Sequence, residues 1–165
     1  MKTLPLALQA PDARWNIRAV RMEDIDALQT HCWTERSFLS VYELVGRAIS
    51  LAKEENGLGV VFVNGAGVVR GYGQLTAWPN CAEITDLMVA EAYRSKGIGT
   101  ALIQHLMQAA KKMEVDCVEI GAAVDNPRAL ALYRRLGFLD SHTLDINIGV
   151  RKHQVIYLRI DLQNS

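Results

Sequence analysis

The chain has 165 residues, which is enough for one domain with a buried core. Half of the residues are hydrophobic and 7% are aromatic, an ordinary mixture for a globular protein. The 18 basic residues balance the 18 acidic ones, whereas a general nucleic-acid binder usually carries a basic surplus that displaces counterions. No apolar run approaches the roughly 20 residues of a membrane helix. Neither nucleic acid nor a membrane is therefore expected as a partner.

Residues 1–14 precede the first predicted strand and are interpreted as an N-terminal arm, with residues 15–165 forming a single domain. The first ten residues, MKTLPLALQA, carry one lysine and a short apolar stretch that Pro5 interrupts. This is a poor match to a secretory signal peptide. We accordingly expect a cytoplasmic protein.

The three cysteines, Cys32, Cys81 and Cys117, are far apart in the sequence and form no CxxC pair. An odd number of scattered cysteines is typical of free, buried thiols in a reducing compartment. His31 is adjacent to Cys32, but no residues around them have the spacing of metal ligands. We therefore expect three free thiols and no metal site.

Hydrophobic periodicity predicts the secondary structure along the whole chain. In chain order the predicted elements are a strand at 16–20, helices at 22–33 and 41–55, strands at 59–63, 68–78 and 82–89, a helix from about 97 to 113, a strand at 117–124, a helix at 127–136, and strands at 140–148 and 154–162. Asn64-Gly65 between two β-rich runs is a strong hairpin signal. The order is that of an α+β fold, in which an antiparallel region is joined to a strand–helix–strand unit.

The segment RSKGIG, residues 94–99, lies between a predicted strand and a predicted helix. Amides in the first turn of a helix have no partner within it, and glycine allows a ligand to approach the backbone closely. The segment is therefore a candidate cradle for a diphosphate. It is not a Rossmann fingerprint, because Leu102 stands where the third glycine is required, and it lacks the Walker pattern. The alternative is an ordinary turn with two solvated basic residues.

Two longer motifs resemble those of the GNAT superfamily of N-acetyltransferases. The first, LMVAEAYRSKGIGTALI, carries the pattern Leu-x-Val followed by Arg-x-x-Gly-x-Gly, at Leu87, Val89, Arg94, Gly97 and Gly99. The second, NPRALALYRRLGF, places the remaining pattern residues at Asn126, Ala129, Tyr133, Gly137 and Phe138. The chain departs from the family at Glu91, where a proline is usual, which should alter the turn slightly without removing the amide cradle.

The resemblance extends over residues 16–162 and implies both fold and cosubstrate. The expected fold is GNAT-like α+β, a mixed and mostly antiparallel twisted sheet of six to seven strands flanked by about four helices, with splayed central parallel strands. The expected cosubstrate is acetyl-CoA. The residues implied in binding it are Leu87, Met88, Val89, Arg94, Ser95, Lys96, Gly97, Ile98, Gly99, Thr100, Asn126 and Tyr133. Asn126 has a second interpretation as the cap of the helix that opens at Pro127.

The resemblance also implies catalytic residues. Tyr133 is the candidate acid for the leaving thiolate, unless it is a core tyrosine. Glu83 is the candidate base, directly or through water, and a solvated carboxylate is its alternative. Strand alternation would place Glu83, Thr85, Leu87 and Val89 on one face and Asp86 with Met88 on the other, so that the two carboxylates do not share a pocket unless a bulge intervenes. Other relatives place a base where this chain has Gly121, and Glu119 is expected to lie too far along the strand.

The acceptor side is expected to be formed by the first two helices and the last hairpin. The leading candidates are Trp33, Phe38 and Tyr42, since aromatic rings can hold a cationic amine. Glu35, Trp78, Arg151 and His153 are further candidates. Trp33 and Phe38 could instead pack the corner between the helices. Exposed strands near the C-terminus would permit a homodimer.

The resemblance therefore predicts an acyltransferase that moves an acetyl group from acetyl-CoA to a primary amine, carried by a small molecule or a peptide, by direct attack on the thioester. The alternative is a non-catalytic acetyl-CoA-binding regulatory or interaction module on the same fold. Such a module would tend to have lost Tyr133 or the loop glycines, and this chain retains both.

Overall fold

The computed structural model describes residues 15–162, and the arm predicted over 1–14 lies outside that range. The strands are β1 (Asn16–Ala19), β2 (Gly57–Val63), β3 (Val69–Ala77), β4 (Cys81–Val89), β5 (Cys117–Ala123), β6 (Leu139–Ile148) and β7 (Arg151–Asp161). The helices are α1 (Ile25–His31), α2 (Phe38–Lys53), α3 (Ile98–Lys112) and α4 (Pro127–Arg135), and short 3-10 turns occupy Met22–Asp24 and Glu91–Tyr93. The predicted order of elements is confirmed.

The seven strands form one sheet in the order β1-β2-β3-β4-β5-β7-β6. Neighbouring strands are antiparallel except for β4 and β5, which run parallel and are joined by α3. This is the mixed, mostly antiparallel sheet with four flanking helices that the sequence predicts.

The helices begin where the local sequence supplies a cap. α2 starts at Phe38, three residues before the predicted start, because the Ser37 hydroxyl accepts a hydrogen bond from the Ser40 amide. The first predicted helix opens with a 3-10 turn in which buried Asp24 accepts bonds from the Arg21 amide and the Arg18 guanidinium. No helix within residues 15–162 is long and apolar enough to span a membrane.

A hydrophobic core lies on each face of the sheet. On one face, the buried side of α3, including Leu102 and Leu106, packs against β2–β5, and Tyr133 of α4 belongs to the same core. On the other face, α1 and α2 pack against the first three strands through residues such as Leu28, Val45 and Tyr72. Because α1 and α2 lie mainly against the first three strands and the end of β4, this face of β5–β7 and of the first half of β4 carries no helix of the described chain.

A bulge in β4 changes the predicted alternation of side chains. Thr85 pairs with Gln74 and Met88 with Tyr72, so Asp86 and Leu87 together oppose one residue of β3. Asp86 adopts a left-handed conformation with φ of 55°. The prediction that Glu83, Thr85, Leu87 and Val89 share one face is therefore wrong. The extra residue turns Leu87 and Val89 toward the α3 core and Met88 toward the α1–α2 core.

The parallel pair parts after a short stretch of pairing. β4 and β5 are paired only from Cys81 with Cys117 to Ile84 with Ile120. Beyond that point β4 continues along β3 and β5 continues along β7. The two strands therefore diverge and leave a cleft between Thr85–Val89 and Gly121–Ala123, as the predicted splay requires.

The cysteine prediction is wrong for two of the three residues. Cys81 and Cys117 occupy opposing positions at the start of the parallel pair, with 4.7 Å between their Cα atoms, and they form a disulfide. Their separation of 36 residues gave no sequence signal, because strand pairing alone brings them together. Cys32 is free and buried, as predicted.

Candidate active site

The N-terminus of α3 is the candidate anion site. Its N-cap, Gly97, has φ of 85° and supplies no side chain to the helix amides. α2 and α4, by contrast, are capped by the side chains of Ser37 and Asn126. The first hydrogen bond within the α3 helix runs from the Ala101 amide to the Gly97 carbonyl, so the amides before Ala101 remain available to a ligand. Free amides at a helix N-terminus are suited to a diphosphate, and the predicted cradle stays a prediction.

Three basic side chains lie around this turn, and each makes a different contact. The Nζ of Lys96 lies 5.3 Å from the centre of the Tyr93 ring. Arg94 turns back toward the cleft, and its Nε donates to the Val89 carbonyl at 3.1 Å. Arg128 reaches across from α4 and donates to the Ser95 hydroxyl. Arg128 was not among the predicted site residues, although its place two residues after Asn126 in the second motif could have indicated it.

The loop residues differ in what they can offer a ligand. Ile98 and Thr100 are 1% and 7% exposed, so only their backbone amides can face the anion site. Ser95 adopts φ of 62°, a left-handed conformation that reverses the chain just before the helix. Gly99 lies against Leu132 of α4, where a Cβ would come 3.7 Å from the leucine Cδ2. This is an ordinary van der Waals distance, so helix packing leaves room for a small side chain at position 99.

Asn126 is a helix cap in this structure. Its Oδ1 accepts a hydrogen bond from the Ala129 amide at 3.2 Å, and Pro127 occupies the first helical position. The capping interpretation is confirmed. Any contact with the cosubstrate would use the amide nitrogen, which the cap leaves free to donate.

Tyr133 lies on the buried side of α4, 6% exposed, with its ring centre 6.4 Å from that of Phe138. Burial raises the pKa of its hydroxyl to about 12, because the low-polarity surroundings disfavour the phenolate. The side chain therefore keeps its proton at neutral pH. A buried phenol with its proton is chemically able to act as an acid.

Glu83 lies on the face of the sheet that α3 and α4 leave open. Its carboxylate accepts a hydrogen bond from the exposed Trp78 indole at 3.3 Å. Glu119 is its partner in the parallel register, one step before β4 and β5 part. The two carboxylates thus stand side by side at the mouth of the cleft.

The predicted acceptor aromatics occupy different environments. Phe38 and Tyr42 are about half exposed at the start of α2 and stack on each other, with ring centres 6.5 Å apart. Trp33 is 5% exposed and packs edge-on against Tyr72, so it lies beneath the surface. Arg36 covers its ring and approaches Asp86 to 4.0 Å. This contact brings the bulge of β4 to the acceptor side, which the sequence did not reveal.

Glu35 is exposed in the turn between α1 and α2. Arg151 and His153 lie at the far end of the β6–β7 hairpin, which projects beyond Ala123, the last paired residue of β5. Within residues 15–162, no three His, Cys, Asp or Glu side chains form a group that could hold a metal ion.

The comparisons with known proteins agree with this architecture. The model of the acetyltransferase (GNAT) family matches residues 21–138, which include the cleft strands, the α3 turn and Tyr133. The chain therefore belongs to the GNAT acetyltransferase family.

Two curated relatives match shorter stretches. An uncharacterized N-acetyltransferase of Methanocaldococcus jannaschii is 44% identical over 57 residues, 34% of this chain and 25% of that protein. An N-alpha-acetyltransferase of Sulfurisphaera tokodaii is 35% identical over 78 residues, 45% of this chain and 47% of that protein. The matched stretches thus span less than half the length of either relative.

Among solved structures, a putative acetyltransferase of Salmonella typhimurium with its cofactor acetyl-CoA has a TM-score of 0.75. The match covers 92% of this chain and 96% of that one at 18% identity, which shows a common fold.

Proposed function

We propose that this protein is an acetyl-CoA-dependent N-acetyltransferase that acts on a primary amine. The observation that carries the proposal is the uncapped N-terminus of α3 beside the cleft between β4 and β5, in a chain of the GNAT family. The diphosphate of acetyl-CoA would lie on the α3 amides while its thioester lies in the cleft. Both can be held at once only because the α3 N-terminus is next to the open edge of β4.

The proposed binding residues for acetyl-CoA follow from the same geometry. The amides of residues 96–100 would hold the diphosphate, with Arg94, Lys96 and Ser95 at its rim. The open edge of β4 at Leu87–Val89 would hold the extended arm by main-chain hydrogen bonds. When bound, acetyl-CoA supplies an activated acyl group as a thioester.

The amides of Met88 and Val89 are the candidates to polarise a carbonyl in the cleft, and the Val89 amide is the better placed. The Ala90 amide donates to the Arg70 carbonyl of β3 at 2.8 Å, so it faces away from the cleft. Successive amides along a strand point to opposite edges, and the Val89 amide therefore faces β5. A preorganised donor at this point would stabilise negative charge on a carbonyl oxygen.

Two side chains would move protons. Tyr133 keeps its proton because burial raises its pKa to about 12, and it would donate to a departing thiolate. An alkyl amine has a pKa of about 10 and must lose a proton before it attacks. Glu83 would accept that proton, directly or through water, from its place at the mouth of the cleft.

The acceptor would enter between α2 and the β6–β7 hairpin. Phe38 and Tyr42 offer exposed aromatic surface there, and buried Trp33 supports Arg36 above it. A small molecule or a peptide amine fits this open surface.

We also propose a homodimer that forms through the exposed edge strand β6. We further propose a cytoplasmic location, where the Cys81–Cys117 disulfide would have to persist against cellular reductants.

The test is acetyl transfer itself. The protein would be mixed with acetyl-CoA and n-butylamine, 1,4-diaminobutane, L-alanine or an alanine-initiated tetrapeptide, while free thiol is measured and the acetylated product identified by mass. Thiol release that depends on the amine supports the proposal. Coenzyme A binding in calorimetry without transfer to any of these amines would favour the non-catalytic module.

A further inference from the structure

Tyr157 lies beside the cleft and has no role in the reaction proposed above. It lies on β7, opposite Gly121 of β5, at the first register position after β4 and β5 part. Gly121 is two residues after Glu119 on the same strand, and Glu119 is in register with Glu83. Since alternate residues share a face, Tyr157, Glu119 and Glu83 all lie on the face opposite Ile84, Ile120 and the α3 core.

Gly121 leaves little room for a side chain. A Cβ at this position would lie 3.0 Å from Tyr157 Cε1 and 3.1 Å from Val155 Cγ1, closer than carbon atoms normally approach. The tyrosine ring therefore lies directly against the β5 backbone. A side chain at position 121 would require the Tyr157 ring or the Val155 side chain to shift by a few tenths of an ångström.

The other side of the ring is also occupied. His142 of β6 stacks on Tyr157, with 4.9 Å between ring centres and an interplanar angle of 5°. The phenol is thus held between the β5 backbone and an imidazole. A ring fixed on both sides presents its hydroxyl in one position, which lowers the entropy cost of binding a ligand there.

The surroundings of the hydroxyl are negative. Burial, together with the charges of Glu83 and Glu119, raises the pKa of Tyr157, so the phenol stays neutral. Arg159, the antiparallel partner of Glu119, directs its Nε to Asp161 at 2.9 Å. Within residues 15–162, neither Glu83 nor Glu119 has a basic group within 4.0 Å. This combination suits an ammonium group, which needs negative charge and a neutral oxygen acceptor.

We propose that Tyr157 is a specificity-determining residue for the acceptor, and that its hydroxyl accepts a hydrogen bond from the acceptor amine while Glu83 and Glu119 supply the attracting charge. The inference rests on the proposed function and names a residue of the same site. It also assigns Gly121 and His142 as positioning residues that act only through the Tyr157 ring.

The test compares the KM for the acceptor with the KM for acetyl-CoA, using the fastest amine of the four above. Tyr157→Phe keeps the ring and removes the oxygen, so we expect the acceptor KM to rise about tenfold with the acetyl-CoA KM unchanged. Gly121→Ala touches no polar group, yet it should raise the acceptor KM in the same direction by displacing the ring. Gly46→Ala is the matched control, because a Cβ at this position in α2 would meet no atom of residues 15–162 outside its own helix within 4 Å.

Two His142 variants distinguish the effect of ring stacking on the acceptor KM from a general loss of stability. His142→Ala should raise the acceptor KM, and His142→Phe, which can still stack, should restore it. Acceptor KM values that stay unchanged in Tyr157→Phe and Gly121→Ala, with an active wild type, would overturn the assignment of Tyr157 alone. A wild type that acetylates none of the four amines contradicts the proposed function, and the inference then falls with it.

Discussion

Arg128, in the first turn of α4, donates a hydrogen bond to the hydroxyl of Ser95, two residues before the N-cap of α3. This contact joins the two sequence motifs across 33 residues of chain. It holds the left-handed Ser95 at the entrance of the proposed anion site. The contact thereby links α4, which carries Tyr133, to the turn proposed to hold the diphosphate. Each of the two sites can be tested by substitution of a single residue.

Replacing Gly97 should weaken coenzyme A binding. Gly97→Glu places a carboxylate beside the α3 amides and forces a non-glycine residue to φ of 85°. We expect the Kd for coenzyme A in calorimetry to rise at least about tenfold. Gly149→Glu is the control, because Gly149 has φ of 63° with open space around it in the β6–β7 turn. An equal loss of affinity in both variants would refute the cradle.

Removing the Tyr133 hydroxyl should lower turnover without loss of cosubstrate affinity. In Tyr133→Phe the ring still packs beside Phe138, but no proton is available for the leaving thiolate. We expect kcat to fall about a hundredfold. Because the pKa of Tyr133 is raised to about 12, its ionisation should cause no fall in wild-type rate below about pH 11. An unchanged kcat in the variant would eliminate Tyr133 as the acid.

Asp24 should contribute far more stability than its surface counterpart Asp140. Both carboxylates form two hydrogen bonds to an arginine, but the Asp24 side chain is 6% exposed and that of Asp140 is 52% exposed. Asp24→Asn should lower the free energy of unfolding by about 2 kcal/mol at neutral pH in urea denaturation. Asp140→Asn should have a much smaller effect.

The effect of Asp24 should also depend on pH. Burial alone would raise its pKa, but Arg18 and the Arg21 amide outweigh burial and lower it. A depressed carboxyl pKa gives stability that is complete above the unfolded-state value, about 3.9, and is lost as the pH falls through the folded-state value. The difference between wild type and Asp24→Asn should therefore shrink below about pH 4. A difference that is constant down to pH 2 would contradict this account.

The disulfide should stabilise the parallel pair. It closes a loop across a sequence separation of 36 residues, which corresponds to about 4 kcal/mol in the loop-entropy model. Reductant should lower the free energy of unfolding of the wild type by that order and leave a Cys81→Ala/Cys117→Ala double variant unaffected. Denatured protein without reductant should show one reactive thiol, that of Cys32. Three reactive thiols would show that the bridge does not form in solution.

The order of elements and the α3 turn could be predicted because both depend on local signals. Asn64-Gly65, the N-cap Asn126 with Pro127, and the apolar spacing of α3 act over a few residues. The bulge at Asp86 could not be predicted, since nothing in AEITDLMV distinguishes a regular strand from one that holds an extra residue against β3.

By itself, the sequence determined the family, the seven strands and four helices, and the position of the uncapped α3 N-terminus that we propose as the anion site, since each depends on local patterns in the chain. The tertiary structure alone decided that Cys81 meets Cys117 and that Tyr157 rests on Gly121 near Glu83. These contacts join residues on different strands, and their register is set by packing of the whole sheet, which short-range patterns do not encode.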